Sequence, residues 1–101
     1  MGNNNHRATS KMLYRYYIGS NNQTGELEAR RAIKIVSQSF QGFTAYNAMG
    51  YWNGKSENSL ILEIETTELE KLKAIAKQLC QELKQEAVGL AEVGKMDFIS
   101  L

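Results

Sequence analysis

Few side chains in this chain could do acid–base, nucleophilic or metal chemistry: Glu57, Glu63, Glu65, Asp97, the lone Cys80, the lone His6 and the tyrosines. Glu63 and Glu65 stand two apart, which on a strand places both carboxylates on one face. Like charges held close raise one carboxyl pKa toward the range of a general acid, and a solvated strand face is the plainer reading of the same spacing. Cys80 lies in a run with helical spacing and has no histidine outside the first ten residues to draw off its proton, so it reads as a small inert hydrophobe. His6 sits in an asparagine-rich stretch without a second ligand, whereas metal sites converge several donors. The glycines at 19 and 25 bracket a polar loop that could cradle an anion before a helix, but Glu26 and Glu28 already occupy that field. No nucleophile elbow, phosphate loop, paired-histidine helix or dinucleotide fingerprint is present. The sequence therefore assigns no catalytic residue, no metal and no cofactor.

Those residues must be positioned by a small scaffold. At 101 residues the chain reads as one domain able to bury a single core without disulfide or metal staples. Twelve basic residues against 11 acidic leave a net charge of +1, which names no polyanionic partner. The single cysteine excludes an intramolecular disulfide, and no apolar run approaches the roughly 18 residues of a membrane span or forms a signal core, so a cytoplasmic protein without a membrane partner is expected. Residues 1–10 lack apolar periodicity and read as a disordered tail ahead of one domain over residues 11–101.

Residues 12–18 alternate, with Met12, Tyr14, Tyr16 and Ile18 on one face and Leu13, Arg15 and Tyr17 on the other, which predicts a first strand. A helix over residues 26–41 follows from Ala29, Ile33, Val36 and Phe40, with Thr24 as a candidate N-cap and Gly42 as a C-terminal stop. Asn53-Gly54 favours a two-residue type I′ turn joining strands over residues 43–52 and 55–66. That turn pairs Trp52 with Lys55, Gly50 with Glu57, Tyr46 with Ile61 and Phe43 with Ile64. The register gathers Phe43, Ala45, Leu60, Leu62 and Ile64 on one face and leaves Tyr46, Trp52, Ile61, Glu63 and Glu65 on the other. Thr67 and Glu70 have capping-box spacing ahead of a second helix with the stripe Leu69, Leu72, Ala76, Leu79 and Leu83, widened by Ile75 and Cys80. Residues 87–93 predict a last strand that Gly94 breaks, followed by an apolar patch at residues 96–99 that is either a fifth strand or an arm.

The order β-α-β-β-α-β is that of a ferredoxin-like α+β sandwich: a four-stranded antiparallel sheet with two helices on one face. Right-handed crossovers put strands one and three in the centre and leave the second face uncovered. Exposed aromatic and apolar groups on such a face mark an interface or ligand platform, which makes Tyr46, Trp52, Glu57, Ile61 and Glu63 the candidate ligand or interface residues and a second or third copy of the chain the expected partner. RNA-binding domains of this topology stack bases on that face, but Glu63 and Glu65 would oppose phosphates and the glycine–aromatic consensus is missing, so no nucleic acid is expected. The alternative is a small enzyme with an open-face pocket lined by Tyr46, Trp52, Glu63 and Tyr14 or Tyr17.

Tyr51-Trp52-Asn53-Gly54-Lys55, with Glu57, Ser59 and the run from Leu60 to Thr67, resembles the centre of CutA proteins, the divalent-ion tolerance family related in fold to PII signalling proteins. Where that family carries a histidine and a proline–glutamate motif, this chain has Lys84-Gln85-Glu86-Ala87-Val88-Gly89-Leu90, and it contains no proline. Gly42-Phe43-Thr44, the segment Gly50-Tyr51-Trp52, Glu57 and Gln85-Glu86-Ala87-Val88 also resemble small uncharacterised bacterial domains of the same topology. Both likenesses imply a dimeric or trimeric ferredoxin-like binding or regulatory module whose strand-two to strand-three loop faces the ligand or partner, with a small molecule as the possible ligand.

Overall fold

The computed structural model describes residues 9–101; the expectations for residues 1–8 of the tail, His6 included, lie outside them. The elements run β1 (Thr9–Ile18), α1 (Ala29–Ser37), β2 (Thr44–Trp52), β3 (Lys55–Thr66), α2 (Leu69–Glu82) and β4 (Gly89–Phe98). The strands form one antiparallel sheet in the order β2-β3-β1-β4, with β1 and β3 central. This is the ferredoxin-like α+β fold expected from the order of elements.

The hairpin follows its turn chemistry. Asn53 and Gly54 take φ of 51° and 75°, both positive as a type I′ turn requires. Trp52 pairs with Lys55, Gly50 with Glu57 and Tyr46 with Ile61, the register derived from the turn. Leu60, Leu62 and Ile64 consequently point into one cluster with Tyr14, Tyr16 and Ile18 from β1, Ala32, Ile35 and Val36 from α1, and Leu72, Ile75, Leu79 and Leu83 from α2. The buried Tyr16 hydroxyl donates to the Leu72 carbonyl at 2.6 Å, tying β1 to α2, and burial raises its pKa.

Several boundaries differ from the sequence reading. β1 begins at Thr9, because Thr9 to Met12 pair with the far half of β4. Gly94 does not end β4: the pairing shifts between Leu13 and Tyr14, so Val93 is the extra residue of a bulge, and the apolar patch after it continues the same strand rather than making a fifth. α1 starts at Ala29 and ends at Ser37, well short of Gly42. Thr24 does not cap it; the Asn21 side chain accepts from the amides of Gln23 and Thr24, at 2.7 and 3.1 Å, and this closed loop delays the helix. The stripe of α1 is turned accordingly, so that Ala32, Ile35 and Val36 are buried while Ala29, Ile33 and Phe40 are partly so. The Thr67–Glu70 capping box does not form; the Thr66 hydroxyl accepts from the Glu68 amide instead. Ala45, expected in the core, is exposed, because β2 lies at the sheet edge beyond the helices.

Candidate functional site

On the face away from the helices, successive rows run across the strands. One row joins Gly89, Tyr17, Ile61 and Tyr46, and the next joins Ala91, Arg15, Glu63 and Thr44. Arg15 donates to one Glu63 carboxylate oxygen from Nε at 2.8 Å and from a terminal nitrogen at 2.6 Å. Its other terminal nitrogen donates to the Tyr17 hydroxyl at 3.1 Å, and Tyr46 donates its hydroxyl to Glu63 at 3.0 Å. The hydrogen bonds to Tyr17 and Glu63 raise the Arg15 pKa, while those from Arg15 and Tyr46 hold the Glu63 carboxyl below its usual range. Partial desolvation, then the bond to Glu63, pushes the Tyr46 phenol up. Glu63 is therefore a fixed anion, not the raised-pKa acid that its spacing from Glu65 allows. Ile61, expected on the exposed patch, is only 5% exposed, because Tyr17 and Tyr46 stand on either side of it on the neighbouring strands.

Trp52 and Glu57 lie elsewhere, at the hairpin end of the sheet. They line a cleft of about 380 Å³ together with Tyr17 at the end of β1, Gly19 and Ser20 just after it, and the α2–β4 connection at Gln85 and Glu86. The Gln85 side chain builds one wall. Its oxygen accepts from the Gly19 amide at 3.1 Å, and its nitrogen donates to the carbonyls of Gly19 and, at 2.7 Å, Ser20. Ser20 in turn donates its hydroxyl to the Asn58 carbonyl at 2.8 Å, fastening the loop to β3. A Cβ on Gly19 would sit 2.6 Å from a Glu57 carboxylate oxygen, so glycine there lets the carboxylate lie against the backbone just past β1.

The charged side chains lining this cleft are Glu57 and Glu86, and neither is hydrogen-bonded or ion-paired among the described residues. The Trp52 indole, 76% exposed, stands beside them. A second cleft of about 380 Å³ shares Ser20, Trp52 and Glu57 and adds Lys55 and Ser56. An aromatic face and unpaired carboxylates around a dent of this size suit a cation with an apolar or ring-bearing body. Among the described residues no group of three or more His, Cys, Asp or Glu is placed to hold a metal. No described helix is long and apolar enough to cross a membrane.

The five candidates from the sequence thus divide. Tyr46 and Glu63 share the central network, Ile61 packs beneath it, and Trp52 and Glu57 share the end cleft. Of the residues drawn into the open-face pocket, Tyr17, Tyr46 and Glu63 share the Arg15 network, Trp52 lines the end cleft beside Tyr17, and Tyr14 belongs to the helix-side core. Sequence reading did not single out Arg15 or Gln85, and it set Gly19 in an anion-cradling loop rather than against Glu57. Gln85 stood in a segment noted only for its resemblance, and alternation had placed Arg15 on the right face without showing that its register partner is Glu63.

Fold and site together define a ferredoxin-like α+β domain with a small acidic, aromatic cleft at one end of its sheet. Among solved structures the chain is similar to a phage SAM lyase in its apo state, with a TM-score of 0.59 and 19% sequence identity over 90% of each chain. No family model and no curated protein matches it.

Proposed function

We propose that this domain is a homo-oligomeric binding module that takes a cationic small molecule bearing an aromatic ring in the Trp52–Glu57 cleft. The observation that carries the reading is the pairing of an exposed indole with unpaired carboxylates in a dent free of basic side chains. Its volume of about 380 Å³ falls within the span of roughly 300–1,000 Å³ typical of small-molecule sites. S-adenosylmethionine is the first ligand to test. It carries a sulfonium charge and an adenine able to stack on tryptophan, and the structural neighbour is a SAM lyase.

Trp52 is the only tryptophan, so its fluorescence reports the cleft directly. Titration with S-adenosylmethionine is expected to give saturable quenching, with weaker binding of S-adenosylhomocysteine, the thioether that lacks the positive sulfur. Replacing Glu57→Gln should weaken the sulfonium ligand about tenfold, the scale of one desolvated charge contact, while changing the thioether little. An absence of saturable quenching by either molecule at millimolar concentration would refute this ligand.

A catalytic reading belongs to the same cleft and is favoured only by the neighbour's being a lyase. Glu57 is then the group placed to accept a proton from the bound molecule or to offset its charge. Mass spectrometry of S-adenosylmethionine incubated with the protein decides it: new products that vanish with Glu57→Gln support turnover, and an unchanged ligand leaves a binding module.

A further inference from the structure

We infer that two copies of this chain join by pairing β2 antiparallel with β2, making one continuous sheet. This rests on the reading that the chain associates with itself, and it names the surface. β2 and β4 are the two edges of the sheet, and they are built differently. β4 carries Glu92, Lys95 and Asp97 and a bulge at Val93, the devices by which edge strands repel further strands. β2, with the sequence Thr44-Ala45-Tyr46-Asn47-Ala48-Met49-Gly50-Tyr51-Trp52, has no charged residue, no proline and no bulge in its pairing with β3. Met49 and Tyr51 on it are 55% and 76% exposed.

The two-residue turn fixes which backbone groups of β2 are spent. Trp52 and Lys55 close the hairpin as a hydrogen-bonded pair, and alternation then turns the N–H and C=O of Ala45, Asn47, Met49 and Tyr51 outward, away from β3. A second β2 is the occupant that suits this row. It has the same length and the same outward donors and acceptors. An uncharged strand laid antiparallel on itself also brings no like charges into opposition, a conflict that would cost stability directly across a ladder. Because the guarded β4 edge lies on the far side, a two-fold pairing closes and growth stops at two.

Sedimentation velocity of the full chain over a micromolar concentration series, beside Met49→Pro and Met49→Lys, tests this. Proline at 49 removes an outward donor without touching the β3 ladder, while lysine keeps the donor and adds the missing guard charge; circular dichroism confirms that each variant is folded. The wild type is expected to be a dimer, and each folded variant to dissociate with a dissociation constant at least about tenfold higher, through a lost seam hydrogen bond for proline and through like charges brought to the seam for lysine. A dimer that persists in the folded variants, or a wild-type trimer, would overturn the β2 seam while leaving self-association intact. A wild-type monomer throughout would remove both.

Discussion

Gly19 shows how much a single missing side chain decides in the end cleft. Its neighbour at 2.6 Å would be the carboxylate end of Glu57, a flexible group that can swing away, and the Gln85 oxygen stays at an ordinary 3.5 Å. Gly19→Ala is therefore expected to shift stability by less than about 1 kcal/mol while displacing Glu57 from the backbone at residue 19. Thermal unfolding should be nearly unchanged and Trp52-detected S-adenosylmethionine affinity reduced about tenfold; unaltered affinity would detach Glu57 from the ligand. None of this was legible in the sequence, because Gly19 there is one glycine in a polar loop, and what it makes room for arrives from β3, far along the chain. Ile61 was misread for a related reason. Alternation tells which face a residue points to, but its burial on that face depends on the size of Tyr17 and Tyr46 standing opposite.

Among the elements, the β2–β3 hairpin was read correctly since its register is set by two adjacent residues and needs no long-range information. The turn makes a matching prediction: Gly54, at φ 75°, sits where an L side chain is strained, so Gly54→Ala should cost about 1–2 kcal/mol in a chemical denaturation midpoint. An unchanged midpoint would mean that the turn does not limit hairpin stability. Helix ends were harder. Asn21 takes the amides of Gln23 and Thr24, the Thr24 hydroxyl takes that of Glu26 ahead of the helix, and the Thr66 hydroxyl takes that of Glu68; side-chain hydrogen bonds of this local kind have several equivalent partners in any serine-, threonine- or asparagine-rich stretch. An isolated glycine in an apolar run often breaks a strand, and Gly94 reads that way from the sequence. A bulge absorbs it, and the long β1 opposite keeps the ladder going to Phe98.

For the whole molecule, topology follows from the helices covering β1 and β3 and leaving β2 outside their shelter, so the core reading held for Leu60, Leu62 and Ile64 and failed for Ala45. The net charge of +1 gives no strong overall field, so the acid response of stability falls to individual carboxylates. Glu63, held low by Arg15 and then Tyr46, and Glu28, held low by the Asn21 amide and then Arg31, both have depressed pKa values in the folded state. A depressed folded pKa means that the unfolded chain binds the proton more readily. The contribution is thus complete above the ordinary carboxylate range and is lost as pH falls through the depressed values. Urea midpoints should hold steady near neutrality and decline from about pH 5 toward pH 3, with the wild type losing more than the Glu63→Gln variant over that window. The two partly exposed Arg15 bonds to Glu63 span the two central strands, so this decline reports the sheet itself rather than a fraying end. Identical acid limbs in wild type and Glu63→Gln would show that the Arg15–Glu63–Tyr46 network adds nothing to holding β1 and β3 together.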